Sequence, residues 1–369
     1  MFVIDKRVLR CSYVLFLIFW TIGDIKGNIN DDAKYLFLAA SLLVGFLPII
    51  INEKKEKLNF ERLKGNLPFT LFALTITVLS MILFTTSIAS YAFKTLIAIF
   101  FPMVYVTAIS NVERDGDGEF YFDVMFYCSI AGFLAKFGSS LTIANIMTIS
   151  FTDSYSPYES DYAMYFTFLF VYYIVKKKYV KAVISFVIGF LGFKRLNLVF
   201  MFFILGVRLL LKNKKNPKWL IIAAQAFFIL SPIVITFLAS EEFNIWYDAS
   251  HEVSFSDFTM GRLWQVQEVL KIDEPLYGLG AIKNYFVMNN YHVVDFHCDL
   301  LKVCIETTPI GLVLLVTQMF RLTKESIYAF LWICFIFGLM FSSTCIDSFI
   351  AWFMTYLFCE YIGKEKVST

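Results

Sequence analysis

The residues of this chain with the clearest capacity for chemistry gather in one run, FHCDLLKVCIETTPIGLV, at 296–313. Asp299, Lys302 and Glu306 are spaced i, i+3, i+7, so a helix places them within about 60° of one another. A charged side chain at the centre of a bilayer helix costs roughly 2.5–3.5 kcal/mol on insertion scales. Three charges on one stripe therefore face other helices or a polar cavity, and neighbouring opposite signs stabilise each other. A buried structural ion pair and a polar substrate site both fit that spacing. His297 leads the run. An imidazole can accept a proton near neutral pH, although a histidine at a membrane boundary also serves simply as an interfacial side chain. If the helix already includes His297, the imidazole falls roughly opposite the charged stripe. Convergence on one site then requires an irregular helix start.

Two cationic sites precede this run. GFKRLN at 192–197 interrupts a long apolar stretch with Lys194 and Arg195. A guanidinium fork suits two phosphate oxygens at once; the plainer reading is snorkelling to lipid phosphates. Arg262 lies in FTMGRLWQVQEVLKIDEPLYGLG. Met260, Leu263, Trp264, Val266, Val269 and Leu270 give MGRLWQVQEVLKI the pattern of a short amphipathic helix at an interface. Pro275, Gly278 and Gly280 end it in a turn. An exposed loop arginine is otherwise simply solvated.

The elements that must hold these groups are membrane spans. The chain has 369 residues and is 59% hydrophobic, with a mean hydropathy of +0.68. Soluble domains sit near 45–50% apolar. Here apolar runs long enough, or nearly so, to cross about 30 Å of hydrocarbon follow one another to the C-terminus. A cleaved leader before a soluble enzyme is thereby excluded. Seven cysteines do not suggest a disulfide framework, because Cys11, Cys128, Cys334, Cys345 and Cys359 fall inside apolar runs. Cys298 and Cys304 have no CxxC or Cys/His spacing, so no metal site and no cofactor is expected.

Twelve spans are read at 8–23, 35–51, 67–87, 91–110, 120–149, 161–175, 180–193, 196–211, 219–240, 297–319, 327–342 and 345–362. Residues 1–240 then carry nine of them. Residues 241–296 form one long outer loop with a short amphipathic helix, and 297–369 carry the last three and a cytoplasmic tail. Most of the 32 basic residues fall on one side of this arrangement, in the N-terminal Lys6, Arg7 and Arg10, in NEKKEKLNFERLK, KKKYVK and RLLLKNKKNPK, and around Arg321 and Lys364. The positive-inside rule places both termini in the cytoplasm and the long loop outside. All three histidines, His251, His292 and His297, lie in that loop or at its end.

Taken in order, these residues resemble the O-antigen polymerase (Wzy) family, and more broadly the polymerase/ligase superfamily that includes the O-antigen ligase (WaaL). That pattern has a basic residue at an outer helix end, then a long periplasmic loop with an arginine and a Pro-Leu/Phe-x-Gly-x-Gly turn. His-Asn follows, and then a helix with Glu-x-Gly-x-x-Gly. Here GFKR supplies Arg195, the loop Arg262, and EPLYGLG supplies Pro275, Gly278 and Gly280. The His-led helix supplies His297, Glu306 and Gly311. Cys298 stands where Asn is usual, and Thr308 where the first glycine is usual. The likeness extends over roughly 180–320.

The resemblance implies an all-α polytopic, GT-C-like membrane glycosyltransferase of the bacterial inner membrane with its active face in the periplasm. It would join undecaprenyl-pyrophosphate-linked oligosaccharide repeat units into O-antigen polysaccharide without a metal. Donor and acceptor are both lipid-linked, a chain-length regulator and a flippase would share the membrane, and no nucleic acid is involved. Arg195 and Arg262, with Lys194 in support, would stabilise the pyrophosphate leaving group. His297 would orient or deprotonate the acceptor hydroxyl, with Asp299 or Glu306 sharing that role or holding substrate. Tyr155, Tyr158, Trp246, Trp264 and Tyr277 are candidate sugar-stacking surfaces or membrane-interface anchors. The alternatives are an O-antigen ligase acting on lipid A–core and, from another class, a polysaccharide transporter or lipid flippase. A transporter should show internal repeats and helices broken at the midplane, and the sequence shows no self-similarity between its halves.

Overall fold

A computed structural model of the protein describes residues 6–26, 67–84, 89–113, 118–150, 155–192, 194–210, 216–251, 254–255, 259, 261–292, 295–342 and 345–362. The expected span at 35–51 lies outside them. In chain order the helices are α1 (Lys6–Lys26), α2 (Leu67–Phe84), α3 (Ala89–Val112), α4 (Glu119–Phe137), α5 (Ile143–Met147), α6 (Tyr162–Val175), α7 (Tyr179–Leu191) and α8 (Arg195–Leu210). They continue with α9 (Lys218–Leu238), α10 (Glu241–Ser250), α11 (Arg262–Leu270), α12 (Ala281–Met288), α13 (Asp299–Glu306), α14 (Thr308–Arg321), α15 (Ile327–Ser342) and α16 (Phe349–Ile362). Among the described residues there is no strand, only one isolated bridge between Ser150 and Tyr155. Segments Tyr91–Ser110, Glu119–Ser140 and Lys218–Leu238 are long and apolar enough to cross a membrane, and several shorter apolar helices accompany them. In hydrocarbon a helix satisfies its backbone groups internally, which is why such runs become helices.

Two compact units are present: Met1–Asn59 with Thr107–Asn213, and Phe60–Val106 with Lys214–Thr369. In the first, α6 is the central helix. Tyr162, Ala163 and all of Tyr165–Val175 are buried, the condition of a helix that is apolar all round. It forms a hairpin with α7 through Lys176–Lys178 and also meets α4 and α8. Phe122 stacks on Tyr172 at 3.5 Å, and Phe133 lies edge-on to Tyr162 and Phe166. Gly192 lets α7 approach α6, since a Cβ there would stand 2.8 Å from the Ala163 Cβ. At the other end, Glu113 is buried and receives Arg10 Nε at 2.6 Å as well as Lys6.

The second unit is built on α9, α13, α14, α15 and α16. Phe228, Phe320 and Phe337 form its aromatic centre, with Phe320 and Phe337 stacked at 5.7 Å. Trp332 Nε1 donates to Thr355 Oγ1 at 3.1 Å, and Gln318 Oε1 accepts from Phe69 N at the start of α2. α9 buries only 22% of its apolar window. Among the described residues its outer stripe of Ile222, Phe227, Leu230 and Ile233 is exposed, as expected of a lipid-facing side.

The structure corrects three boundaries. The run at 120–149 does not continue as one helix: α4 ends at Phe137 and gives way to a 3-10 turn, Gly138–Ser140, then α5. Ser140 Oγ bonds back to Phe137 O at 2.8 Å, and Thr142 caps α5 by accepting from Asn145 N. Serine and threonine offer the backbone such alternatives to helix. The run at 297–319 is broken between α13 and α14. Pro309 disfavours helical geometry at the residue before it, and Thr308 sits at φ +64°. The outer loop holds three helices, α10, α11 and α12, where one was expected.

Candidate functional site

Arg262 opens α11, its N–H donating to the Thr259 carbonyl at 3.2 Å. The preceding Gly261 has φ +72°, left-handed geometry that glycine adopts without strain. The amphipathic reading of α11 holds for Leu263, Val266 and Val269, which are buried, whereas Trp264 and Leu270 face outward. Those buried residues join Ile235, Ile282, Phe286, Phe296 and Leu301 in one apolar cluster.

One polar side chain enters that cluster. Gln265 is 3% exposed, donating through Nε2 to the Asp295 carbonyl at 2.9 Å. Its Oε1 accepts the backbone N–H of His297 at 3.1 Å. A buried amide must find partners for both ends, and here both lie on the strand of backbone that leads into α13. The same amide therefore ties the helix of Arg262 to His297. His297 precedes the first residue of α13, which is Asp299. The irregular helix start that convergence requires is present: Cys298 lies at φ −152°, ψ 72°. Lys283 of α12 completes the rim by pairing with Asp295 at 2.6 Å.

The charged stripe is helical and closed to solvent, with Asp299 and Glu306 at 0% exposure. Each carboxylate is engaged by backbone. Asp299 Oδ2 accepts from the N–H of Cys345 and, at 2.7 Å, of Ile346. Glu306 accepts from Gly280 N through Oε2 and from Ile282 N through Oε1, both at 3.0 Å. The Glu306 carbonyl accepts from Gly278 N at 2.8 Å. Gly278 and Gly280 take φ +98° and +83°. A Cβ on Gly280 would also stand 2.6 Å from the Tyr91 Cβ, so this turn requires glycine twice over. Lys302 pairs with Asp347 at 2.8 Å, and Asp347 in turn accepts from Thr95 Oγ1 at 2.5 Å. The partner of the stripe's cation thus comes from the connection between α15 and α16.

The two expected basic residues Lys194 and Arg195 lie in the first unit. Lys194 stands 3.8 Å from Asp161, and Arg195 is the first residue of α8 and exposed. Tyr158 is no stacking surface. It is fully buried between Phe133 and Phe137, and its hydroxyl donates to the Ser140 carbonyl at 2.9 Å. Tyr155, Trp246, Trp264 and Tyr277 are exposed.

Sequence reasoning missed Gln265 and Asp347. The first carried a signal, since a glutamine in phase with Val266 and Val269 must be buried with them. The second carried a weaker one, a lone carboxylate in the apolar stretch STCIDSFIAW. Comparison with models of protein families, with curated proteins and with solved structures finds no match.

Proposed function

We propose that this protein is a polytopic membrane glycosyltransferase of the O-antigen polymerase type. It would join polyprenyl-pyrophosphate-linked oligosaccharide units at the outer face of the bacterial inner membrane, with twelve spans and both termini in the cytoplasm. One observation carries the reading. The Pro275-Leu-Tyr-Gly-Leu-Gly turn and the Glu306 helix, separate parts of the resemblance in sequence, meet through the three hydrogen bonds to Glu306 from Gly278, Gly280 and Ile282. Thr308, which stands where that pattern has glycine, adopts the left-handed φ of +64° that glycine accepts without strain. The backbone at Gly278, Gly280 and Thr308 takes the left-handed geometry that glycine favours, which supports the resemblance there.

In this reading Glu306 and Asp299 act as positioning groups that hold the turn and the α15–α16 connection, leaving Arg262 and His297 to meet substrate. Arg262 would take the charge that develops on the pyrophosphate as the glycosidic bond to it breaks. His297 would accept the proton of the attacking hydroxyl. The resemblance also assigns Lys194 and Arg195 to phosphate.

The test is the product formed by purified protein in lipid, given one defined polyprenyl-pyrophosphate repeat unit. A ladder of lengths that disappears in Arg262→Ala and in His297→Ala supports a polymerase. A single transfer to added lipid A–core makes it a ligase, and retained activity in both variants would sink the assignment.

A second reading, a transporter or flippase, draws on the break between α13 and α14, because discontinuous helices mark transporter binding sites. In those sites the helix ends at the break face the solute. Here the last carbonyl of α13 is already occupied by Gly278 N, which favours the enzyme.

A further inference from the structure

A cleft opens in the second unit at the corner between α9 and α10. It has a volume of about 630 Å³ and is lined by Phe237, Ser240, Glu242, Phe243 and Trp246, within the range usual for small-molecule sites, roughly 300–1,000 Å³. Its walls are fixed by the chain's own hydrogen bonds. Ser240 Oγ caps α10 by accepting from Phe243 N at 3.3 Å. Asn244 Nδ2 donates to the carbonyls of Leu238 and Ser240, and Gln267 Nε2, from α11, donates to the Ala239 carbonyl at 2.9 Å.

Three rings form the floor. Phe243 lies 5.3 Å from Phe237 and 5.4 Å from Trp246 and is held from behind by Phe255 at 5.0 Å. Phe237 and Trp246 remain 61% and 59% exposed. Rings this open, on a corner this rigid, present their faces to a ligand at little ordering cost. The carboxylate of Glu242 is exposed at the rim and forms no ion pair or hydrogen bond among the described residues.

The charge decides what such a cleft holds. The first turn of α10 carries Glu241 and Glu242, which repel a pyrophosphate or a phospholipid phosphate. A hydrocarbon chain would occupy the rings and leave the carboxylate idle. A pyranose ring uses both features. Its C–H face packs on an aromatic surface, and its hydroxyls donate to a carboxylate that can only accept.

We propose that the α9–α10 cleft is a glycan-binding subsite that takes one uncharged sugar ring of the oligosaccharide, stacked on Trp246 and hydrogen-bonded to Glu242. This rests on the glycosyltransferase reading and adds to it a place where the saccharide is held apart from the Arg262–His297 group. Both sites are supported by the same apolar cluster, against which Phe243 and Tyr247 pack, each with its ring on Phe255.

The experiment measures saturation-transfer NMR of protein in lipid nanodiscs with repeat-unit oligosaccharide freed from its lipid by mild acid, with farnesyl phosphate as competitor. Trp246→Ala is expected to weaken binding roughly tenfold, the scale of one lost aromatic contact, and Glu242→Gln to weaken it less. Trp219→Ala, an exposed tryptophan at the opposite end of α9, should bind as the wild type does. In the ladder assay Trp246→Ala should raise KM for the repeat unit with kcat unchanged. A wild-type protein that extends chains while Trp246→Ala and Glu242→Gln bind and extend normally overturns the cleft and leaves the enzyme reading standing. Binding without any ladder does the reverse. Displacement by farnesyl phosphate, or no oligosaccharide bound at all, overturns the cleft as a glycan site.

Discussion

Gln265, three residues beyond Arg262 on α11, accepts the backbone N–H of His297 at 3.1 Å while donating to Asp295 on the near side of it. Replacing it with leucine removes two part-buried hydrogen bonds, each worth about 0.5–1.5 kcal/mol net. Gln265→Leu should therefore lower the melting temperature in detergent and increase amide exchange over 295–298. Gln265→Glu keeps the acceptor for His297 and loses the donor for Asp295, so it should fall between. Equal exchange in all three proteins would show that the amide holds nothing in place.

Glu306→Ala removes the acceptor of two buried backbone N–H groups at once. The expected loss is about 2–5 kcal/mol, from two unsatisfied donors and a buried cavity. Glu306→Gln retains one acceptor oxygen and should lose less than half of that. The ratio between them, read from denaturation in mixed micelles, separates a positioning carboxylate from a substrate ligand, for which the two substitutions would leave stability alike.

Thr308→Gly should make the protein more stable. A β-branched residue held in the left-handed region costs roughly 1–2 kcal/mol, partly offset by the extra freedom glycine has when unfolded. The net gain is about 1 kcal/mol, seen as a rise in melting temperature. A fall would mean that the hydroxyl or methyl of Thr308 matters more than its backbone.

Lys302 and Asp347 should respond unequally. The lysine side chain is 5% exposed and that of the aspartate 38%. Lys302→Met leaves Asp299 and Glu306 buried without their nearby cation, a loss on the order of 3–5 kcal/mol. Asp347→Asn leaves a lysine still near two carboxylates and keeps an acceptor for Thr95, so it should cost clearly less. A double-mutant cycle gives the coupling, and a value near zero would mean that the pair is incidental.

The sequence by itself determined the helical architecture and the limits of most apolar helices: α6, α7, α8, α9 and α15 begin and end within a few residues of the runs that hydropathy marks. It also placed Asp299, Lys302 and Glu306 on one stripe, because helical spacing is a local property. The break at Thr308 it left inside one expected span, 297–319, because the apolar run continues across Pro309 even though proline restricts the residue before it. What it could not determine was the partner of each charge. Lys302 finds Asp347, Glu306 finds backbone N–H groups at Gly280 and Ile282, and Gln265 finds Asp295 and His297. These bonds join segments 24 to 45 residues apart. A buried polar group must be satisfied, but composition and periodicity leave open by whom. Only tertiary packing, which brings the α15–α16 connection and the PLYGLG turn against α13, settles which carboxylates hold the backbone, and which side chains, Arg262 and His297 among them, stand at its edge.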